Sequence, residues 1–553
     1  PIHWSYRIKR DEIALVTDYN INDVLGTDAL VKNQQKELDL RAKLSEMYAI
    51  DLRNMSRSSI GKNLMTKFYS EWSGMPSYEF VDLRTERSAV PIGKVVKDSI
   101  QFKTPFYRKI LESIQKYSIY IGLGSPKQSE LKRESIANGI VVTTWRKSFQ
   151  SLEFLSHDKG YTMAKGGLHS KDDPRVIWAE SGEILADPDV NSMYPSFIVE
   201  YGVSPHHLSS KVFLGIVEWL RTTRLDAKHS GRKLEADALK IVINRIYGAL
   251  NDAMDYLYDP ECTYTVTINL QLLLCNLIEA FELNNFDVLS ANTDGLLVRL
   301  PISRKDTFEH ICKEWEDYSK LTLETEKFEK YCRSAVNDYI AVGYGFYDAL
   351  QEYNRCGVWI DSKGNTYTTR QAIEDKFIKF KGYFLQDPEY NKGFVYPVVK
   401  KALKEYFLYG VDITEFIRNY INTSRTAIYD YCFSQQVAGK YTTIYKTVRD
   451  GKPVYIKCQK HNRFYICKSG AIVPDSDNIA YGDDISGIVV EEEKSLVARQ
   501  RVALFNDYEY KEDYNLNYGF YINEAYKILY GNGKTGKGER RGINNNSNNL
   551  FGW

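Results

Sequence analysis

The chain has 553 residues, too many for one hydrophobic core and enough for about three or four structural units. With 43% hydrophobic and 26% charged residues it reads as a multidomain globular protein, and a net charge of +1 gives no global argument for a polyanionic partner. Its eight cysteines include no C-x-x-C, which argues against a disulfide framework or a zinc knuckle and for reduced cytoplasmic thiols. Cys458, His461 and Cys467 lie close together but fit no zinc spacing, so no structural metal is expected there. The 42 tyrosines are unusually many, a stock of rings able to stack on bases while still offering a hydroxyl. The opening PIHWSYRIKR has no apolar signal core, and a start at Pro1 suggests a trimmed chain or an absent upstream part.

In chain order, TDYNINDV places Tyr19 and Asp23 four apart, on one face of a helix. Residues 33–52 are long, charged and helical, and the stretch to about 156 mixes helix with irregular segments. In AKGGLHS, Gly166 and Gly167 allow the backbone to approach a phosphate closely. Residues 176–186 are strand-like, which puts Asp189 at a strand end, with Pro195 forcing a turn before the next helix. Residues 218–228 and 234–248 read as two antiparallel helices divided by His229, Ser230 and Gly231. Arg224 and Lys228 share one helical face, and Lys240, Asn244 and Tyr247 share another.

The most apolar run, 266–281, is interrupted by Asn269, Gln271, Asn276 and Glu279, and reads as a core helix rather than a membrane span. From 370 to 468 there are 18 Lys and Arg against 9 Asp and Glu, and from 475 to 513 there are 4 against 11. Such a division could give one face that grips a phosphate backbone and one that repels it. GNGKTGKG, from Gly531, nearly fits a P-loop, but Gly538 stands where Ser or Thr is needed, and no NTPase site is expected. The closing GKGERRGINNNSNN is poor in apolar residues and should be disordered.

Three short segments carry the chemistry: DVNSMYPS from Asp189, KIVINRIYG from Lys240 and SANTDG from Ser290. They supply two aspartates, a set of cations and a tyrosine. Phosphoryl transfer asks for little covalent chemistry, but it needs carboxylates to hold two divalent metals and cations to neutralise a triphosphate.

The segments resemble, in order, the D-x-x-S-L-Y-P-S, K-x-x-x-N-S-x-Y-G and Y-x-D-T-D-S elements of family B DNA polymerases. The resemblance covers at least residues 160–345, and its wording is most like a bacteriophage enzyme. It implies an α+β right-hand polymerase: a palm of antiparallel sheet and helices, short two-helix fingers and a mainly helical thumb, preceded by a remnant of an exonuclease domain. The implied boundaries are 1–35 for the exonuclease remnant, 36–160 for a connecting region, 161–204 and 251–350 for the palm, 205–250 for the fingers, 351–530 for the thumb and C-terminal region, and 531–553 for the tail.

In this reading Asp189 and Asp294 are the catalytic carboxylates and, with the backbone carbonyl of Val190, hold two Mg²⁺ ions, Mn²⁺ being able to substitute. Ser192 and Met193 offer amides to the incoming nucleotide, and Tyr194 lies under its sugar and excludes a 2′-hydroxyl. Arg224, Lys228 and Lys240 neutralise the triphosphate, Asn244 completes the second element, and Tyr247 with Gly248 forms the floor under the nascent pair. AKGGLHS resembles the Y-x-G-G loop that contacts the template, so Gly166 and Gly167 are assigned to DNA. LETEKFEKYCRSAVNDYIAV resembles the strand pair that leads to K-K-x-Y, with Tyr339 at the tyrosine, and KFKGYF looks like the start of a thumb; Tyr339, Lys379 and Lys381 are expected to contact DNA.

TDYNINDV resembles the Y-x-x-x-D element of the proofreading exonuclease, so Tyr19 and Asp23 would be its remnant. The D-x-E element is not in this chain, and one carboxylate cannot hold two metals, so no proofreading is expected of it unless a companion exonuclease segment exists. Only 51 residues separate Asp189 from Lys240 and 54 separate Lys240 from Asp294, which leaves no room for the insertions of protein-primed relatives and implies a nucleic-acid primer.

Four departures stand out. Asn292 takes the place of the first carboxylate of D-T-D, Arg245 that of a serine, Ala164 that of the loop tyrosine, and Val336 and Asn337 those of the paired lysines. The implied function is a DNA-directed DNA polymerase that takes primer-template DNA and deoxyribonucleoside triphosphates, needs no membrane and replicates a phage genome in the bacterial cytoplasm. The alternative is a catalytically silent, nucleic-acid-binding relative.

Overall fold

The computed structural model describes residues 9–172, 174–335, 337–384, 396–436, 442–449, 452–457, 461–472, 479–481, 488–490 and 500–530. Three helices come first: α1 (Ile13–Asn33), α2 (Gln35–Tyr48) and α3 (Arg57–Ser73). Side chains on α1 are largely exposed, whereas α2 and α3 turn Leu40, Leu44, Ile60, Leu64 and Phe68 into a core. Helix α3 is capped at both ends, by Ser56 Oγ accepting from the Ser59 amide and by Gly74 at φ +72°.

Next come β1 (Ala89–Pro91), α4 (Ile92–Val95), α5 (Pro105–Ile114) and β2 (Ser118–Tyr120). A meander follows: β3 (Lys132–Ala137), β4 (Ile140–Trp145), β5 (Ser148–Ser156) and β6 (Lys159–Ala164). Each of its three turns has two residues at positive φ, namely Asn138 with Gly139, Arg146 with Lys147, and His157 with Asp158. That backbone matches the twist of paired strands, and Asn-Gly is its strongest sequence signal. The region expected to be connecting and irregular therefore supplies strands of the main sheet, a correction that the Asn138-Gly139 pair between alternating hydrophobics could have given.

The centre of the chain contributes β7 (Leu168–Ser170), β8 (Arg175–Trp178), β9 (Glu183–Val190), α6 (Met193–Glu200), α7 (Ser210–His229), α8 (Lys233–Leu250) and α9 (Pro260–Leu283). It continues with β10 (Asp287–Asn292), β11 (Gly295–Pro301), α10 (Lys305–Ser319), β12 (Leu323–Ala335) and β13 (Asp338–Gly343). The run expected as one strand over 176–186 is two strands, and Asp189 stands at a strand end as expected, as the last residue but one of β9. Pro195 does not precede a helix; it sits in the first turn of α6, where its missing amide breaks no bond.

The C-terminal part has α11 (Phe346–Cys356), β14 (Trp359–Ile360), β15 (Thr366–Tyr367), α12 (Arg370–Phe377), β16 (Ile378–Lys381), α13 (Pro397–Tyr409) and α14 (Ile413–Asn419). After these come β17 (Cys432–Gln436), β18 (Thr442–Arg449), β19 (Lys452–Lys457), β20 (His461–Ile472), β21 (Ile479–Tyr481), β22 (Ile488–Val490), β23 (Arg501–Leu504) and α15 (Tyr518–Tyr530). This part is a mixture of helix and strand, not mainly helical, because the basic segment folds into hairpins. The P-loop-like stretch, the tail and Cys458 lie outside the described residues.

One 14-stranded sheet runs in the order β1-β2-β5-β6-β7-β10-β11-β9-β12-β13-β16, with β3 on β4, β4 on β5 and β8 on β12. Its pairs are antiparallel except β2 with β5, so the sheet is mixed rather than wholly antiparallel, and it runs on to β16, past the expected palm boundary at 350. The fold class is α+β.

Helix α9 is long and apolar enough to cross a membrane, and it is buried in the core behind this sheet. Three of its polar interruptions are ties. Asn269 donates to Val95 O and accepts from the Lys97 amide, Gln271 bonds both backbone groups of Ala164, and Glu279 accepts from the Lys103 and Thr104 amides. Each satisfies a buried polar group and pins a preceding segment to α9.

Beneath strand β10, Asp172 and Arg333 form a fully buried pair at 2.9 Å. Asp172 also accepts from Ser170 Oγ (2.8 Å) and Ser290 Oγ (2.6 Å), and Arg333 donates to Leu289 O (3.3 Å). The pair thus joins β7, β10 and β12. Asp172→Ala removes the carboxylate from a buried arginine and should destabilise the protein by about 3–5 kcal/mol, read as a lower urea midpoint.

Candidate active site

Strand β9 lies between β11 and β12, and this position brings the first and third segments together. Asp189 pairs in register with Gly295 on one side and with Glu324 on the other. The turn from β10 to β11 is fixed by backbone alone. Thr293, at φ +52°, donates to Leu168 O (2.8 Å), and Asp294 O accepts from the Val190 amide (2.8 Å). Asp189 and Asp294 therefore share one small pocket of about 80 Å³, with Asn292 on its wall and Lys379 and Lys381 of β16 at its side.

The pocket holds a third carboxylate, Asp187, two residues before Asp189 and so on the same face of β9. A Cβ at Gly295 would stand 3.0 Å from Asp189 Oδ1 and 3.3 Å from Asp187 Oδ1, so a side chain there would crowd both carboxylates. Burial, then repulsion from Asp294 and Asp187, pushes the Asp189 carboxyl up to about 8. Burial likewise pushes Asp187 up to about 7, against the pull of Lys379. Burial opposes the charge of Lys379, but its 2.8 Å ion pair with Glu326, together with Tyr339 and Asp187 nearby, outweighs this and raises its pKa. Clustered hard oxygens that resist ionisation together are a donor set suited to Mg²⁺ or Mn²⁺.

His169 pairs in register with Asn292, and its Nδ1 is buried with no hydrogen-bond partner. Burial lowers its pKa. Neither His169 nor Asp187 was singled out from the sequence. For Asp187 the signal was present, since aspartates two apart in a strand share a face.

The remaining candidates divide into those near the pocket and those facing elsewhere. Ser192, at φ +48°, heads α6 and accepts from Arg224 (2.9 Å); Met193 is buried behind it. Tyr194 and Tyr247 stack at 4.0 Å with their planes 7° apart, so α6 and α8 meet ring on ring. Lys228 pairs with Glu324 at 3.3 Å. Lys240 and Asn244 are exposed and line, with Lys36 and Arg57, a separate cleft between α2–α3 and α8 rather than the carboxylate pocket. Gly248 is open to solvent. Arg245 bonds Asp255 (2.6 Å) and Asp252 (3.1 Å), and its stem lies against Gly61 of α3, so it braces the helix pair from behind.

Gly167 lies on the Asp294 turn, where an added Cβ would meet the Thr293 side chain at 3.2 Å, while Gly166 has open space. Tyr339 is buried under the pocket beside the Tyr331 ring (4.6 Å), with Lys381 Nζ 5.8 Å from its centroid. Tyr19 and Asp23 are exposed on α1. Elsewhere His206, Asp259 and Cys262 place possible ligand atoms within 4.8 Å of one another. There Asp259 already caps α9 and binds Arg87, a cation in the way of another.

Asp187 and Asp189 hold their protons more tightly folded than unfolded. In metal-free solution their contribution to stability therefore declines as the pH rises from about 4 through about 8. Thermal melting in a chelator should show Asp189→Asn gaining on the parent protein as the pH is raised from about 5 to about 8.5.

No family model matches the chain. It is 28% identical to a DNA polymerase of Thermococcus gorgonarius over 30% of its own length and 26% of that protein's. It is 25% identical to a DNA polymerase of Thermococcus sp. (strain 9oN-7), over 36% of this chain and 31% of the relative. Among solved structures, the family B DNA polymerase of Pyrobaculum calidifontis aligns with 95% of this chain and 57% of its own at 12% identity and a TM-score of 0.40, too loose a likeness to carry an argument. The chain spans between a quarter and a third of the archaeal DNA polymerases it resembles, and over that part it is similar to them in sequence.

Proposed function

We propose that the chain is a family B DNA-directed DNA polymerase that adds deoxyribonucleotides to a primer 3′-hydroxyl. The observation that carries this reading is the convergence of Asp189 and Asp294, far apart in sequence, on one pocket flanked by Lys379 and Lys381. Similarity to archaeal DNA polymerases supports it. A phage origin rests on the wording of the three segments alone.

Asp189 and Asp294, with the Val190 carbonyl, would hold two divalent ions, Mg²⁺ or Mn²⁺. When bound, such ions lower the pKa of a 3′-hydroxyl and stabilise a leaving pyrophosphate. The chain's own groups do the rest. Arg224, already at the head of α6, neutralises a triphosphate beside the Ser192 and Met193 amides. Lys228 joins it by exchanging Glu324 for phosphate, whereas Lys240 and Asn244, which line the separate cleft, take no part in this pocket. The stacked Tyr194 is backed by Tyr247 over Gly248, and its rigid ring leaves no space for a 2′-hydroxyl. Lys379 and Lys381, with Gly166 and Gly167 across the sheet, grip the duplex, and Tyr339 supports Lys381 from below.

Primer extension on a primed DNA template with Mg²⁺ tests this reading. Deoxyribonucleotides should be added and ribonucleotides refused, and Asp294→Asn should slow extension by about 10³-fold or more, ~4 kcal/mol of barrier. Tight DNA binding with no extension in Mg²⁺ or Mn²⁺ would instead identify a catalytically silent relative, the reading that Asn292 favours. Single-turnover rates of Asn292→Asp should lie within about tenfold of the parent, ~1.4 kcal/mol; rescue from complete inactivity would contradict an active parent enzyme.

A further inference from the structure

We propose that Asp187 is a third metal-holding carboxylate of this pocket, standing in for the acidic group that is absent at Asn292, and that Gly295 is the residue that makes room for it. The inference rests on the polymerase reading of the site.

Three observations carry it. Asp187 and Asp189 are two apart on β9, so both side chains leave the same face of the central strand, and both border the pocket that contains Asp294. The Asp187 carboxyl makes no side-chain hydrogen bond or ion pair among the described residues. Its oxygens are not sealed from solvent, so they stand open to a cation that enters the pocket. Around the position of a Cβ on Gly295 stand Asp189 Oδ1 (3.0 Å), Asp187 Oδ1 (3.3 Å) and the Pro188 carbonyl oxygen (3.3 Å), three hard oxygens converging over one α-carbon. A larger residue at 295 would push both carboxylates aside.

The amide at Asn292 is meanwhile committed elsewhere. Its Nδ2 donates to Asn337 Oδ1 (3.1 Å), and His169 faces it from β7. The charge missing on strand β10 is thus restored from strand β9, two strands away across β11. Asp187 and Asn292 thus border one pocket from different strands, and the absence of a side chain at Gly295 leaves Asp187 its position there.

The test joins primer extension with a direct measurement of Mn²⁺ binding, by titration calorimetry on the DNA-free chain. The parent is measured first. A parent that neither extends primers nor binds Mn²⁺ overturns the polymerase reading and this inference with it. With an active parent, Asp187→Asn should weaken Mn²⁺ binding by about 10–100-fold and slow extension at limiting Mn²⁺. Adding Asn292→Asp to Asp187→Asn should return most of the lost affinity, which a merely structural role for Asp187 would not permit. Parent-like Mn²⁺ affinity in Asp187→Asn, or no recovery in the double variant, overturns the assignment while leaving the polymerase reading intact. Should Asp187→Asn fail to fold, Gly295→Ala decides. Weakening of Mn²⁺ binding by about tenfold or more supports the crowding argument, and unchanged binding overturns it.

Discussion

Like charges held close in a poorly hydrated place repel one another, and this chain gathers Asp187, Asp189 and Asp294 around one small pocket. Nothing in the stability of the sheet asks for that. Burial above all, and then the neighbouring carboxylates, make Asp187 and Asp189 resist losing their protons. The arrangement persists because the surroundings leave the side chains little freedom. Two strands flank β9, a backbone bond ties Val190 to Asp294, and the Thr293 amide is anchored on β7. Lysines on β16 offset part of the repulsion, and a divalent cation would offset the rest.

The strain is local because the scaffold around it is well satisfied. Behind β10, Asp172 gathers two serine hydroxyls and Arg333, so the strand leading to Asp294 is held by buried polar bonds as well as by its ladder. On the opposite side α9 converts its polar interruptions into ties to the segment before the meander and, through Gln271, to the end of the meander itself. What would be defects in an isolated apolar helix serve as attachment points in the assembled core.

The departures from the family pattern acquire physical meaning once the side chains are placed. Arg245 braces α8 against Gly61 and the acidic turn at Asp252 and Asp255, so its size serves packing between helices rather than the nucleotide. Asn292 stands on the wall of a pocket whose charge is carried by Asp187, Asp189 and Asp294, with Gly295 leaving room beside the first two. Lys379 and Lys381, on a strand that joins the main sheet late in the chain, bring cations to a pocket from which the paired lysines near Tyr339 are missing.

Some of this was legible in the residues themselves. The two antiparallel helices around Gly231 and the core helix α9 follow from periodicity and turn chemistry, which are local, whereas the strand pair β12–β13 and the juxtaposition of Asp189 with Asp294 were expected only from the family resemblance. The meander β3–β6 was readable from Asn138-Gly139 but is weak elsewhere, because its other two turns use Arg146 with Lys147 and His157 with Asp158, residues that do not announce positive φ. The sequence by itself determined which carboxylates and cations the protein carries and on what kind of element each sits. Tertiary structure alone decided that β9 lies between β11 and β12, that Asp187 faces the same pocket as Asp294, and that Lys240 and Asn244 look into a different cleft. Strand order and helix rotation depend on contacts between residues far apart in the chain, and no local pattern encodes them.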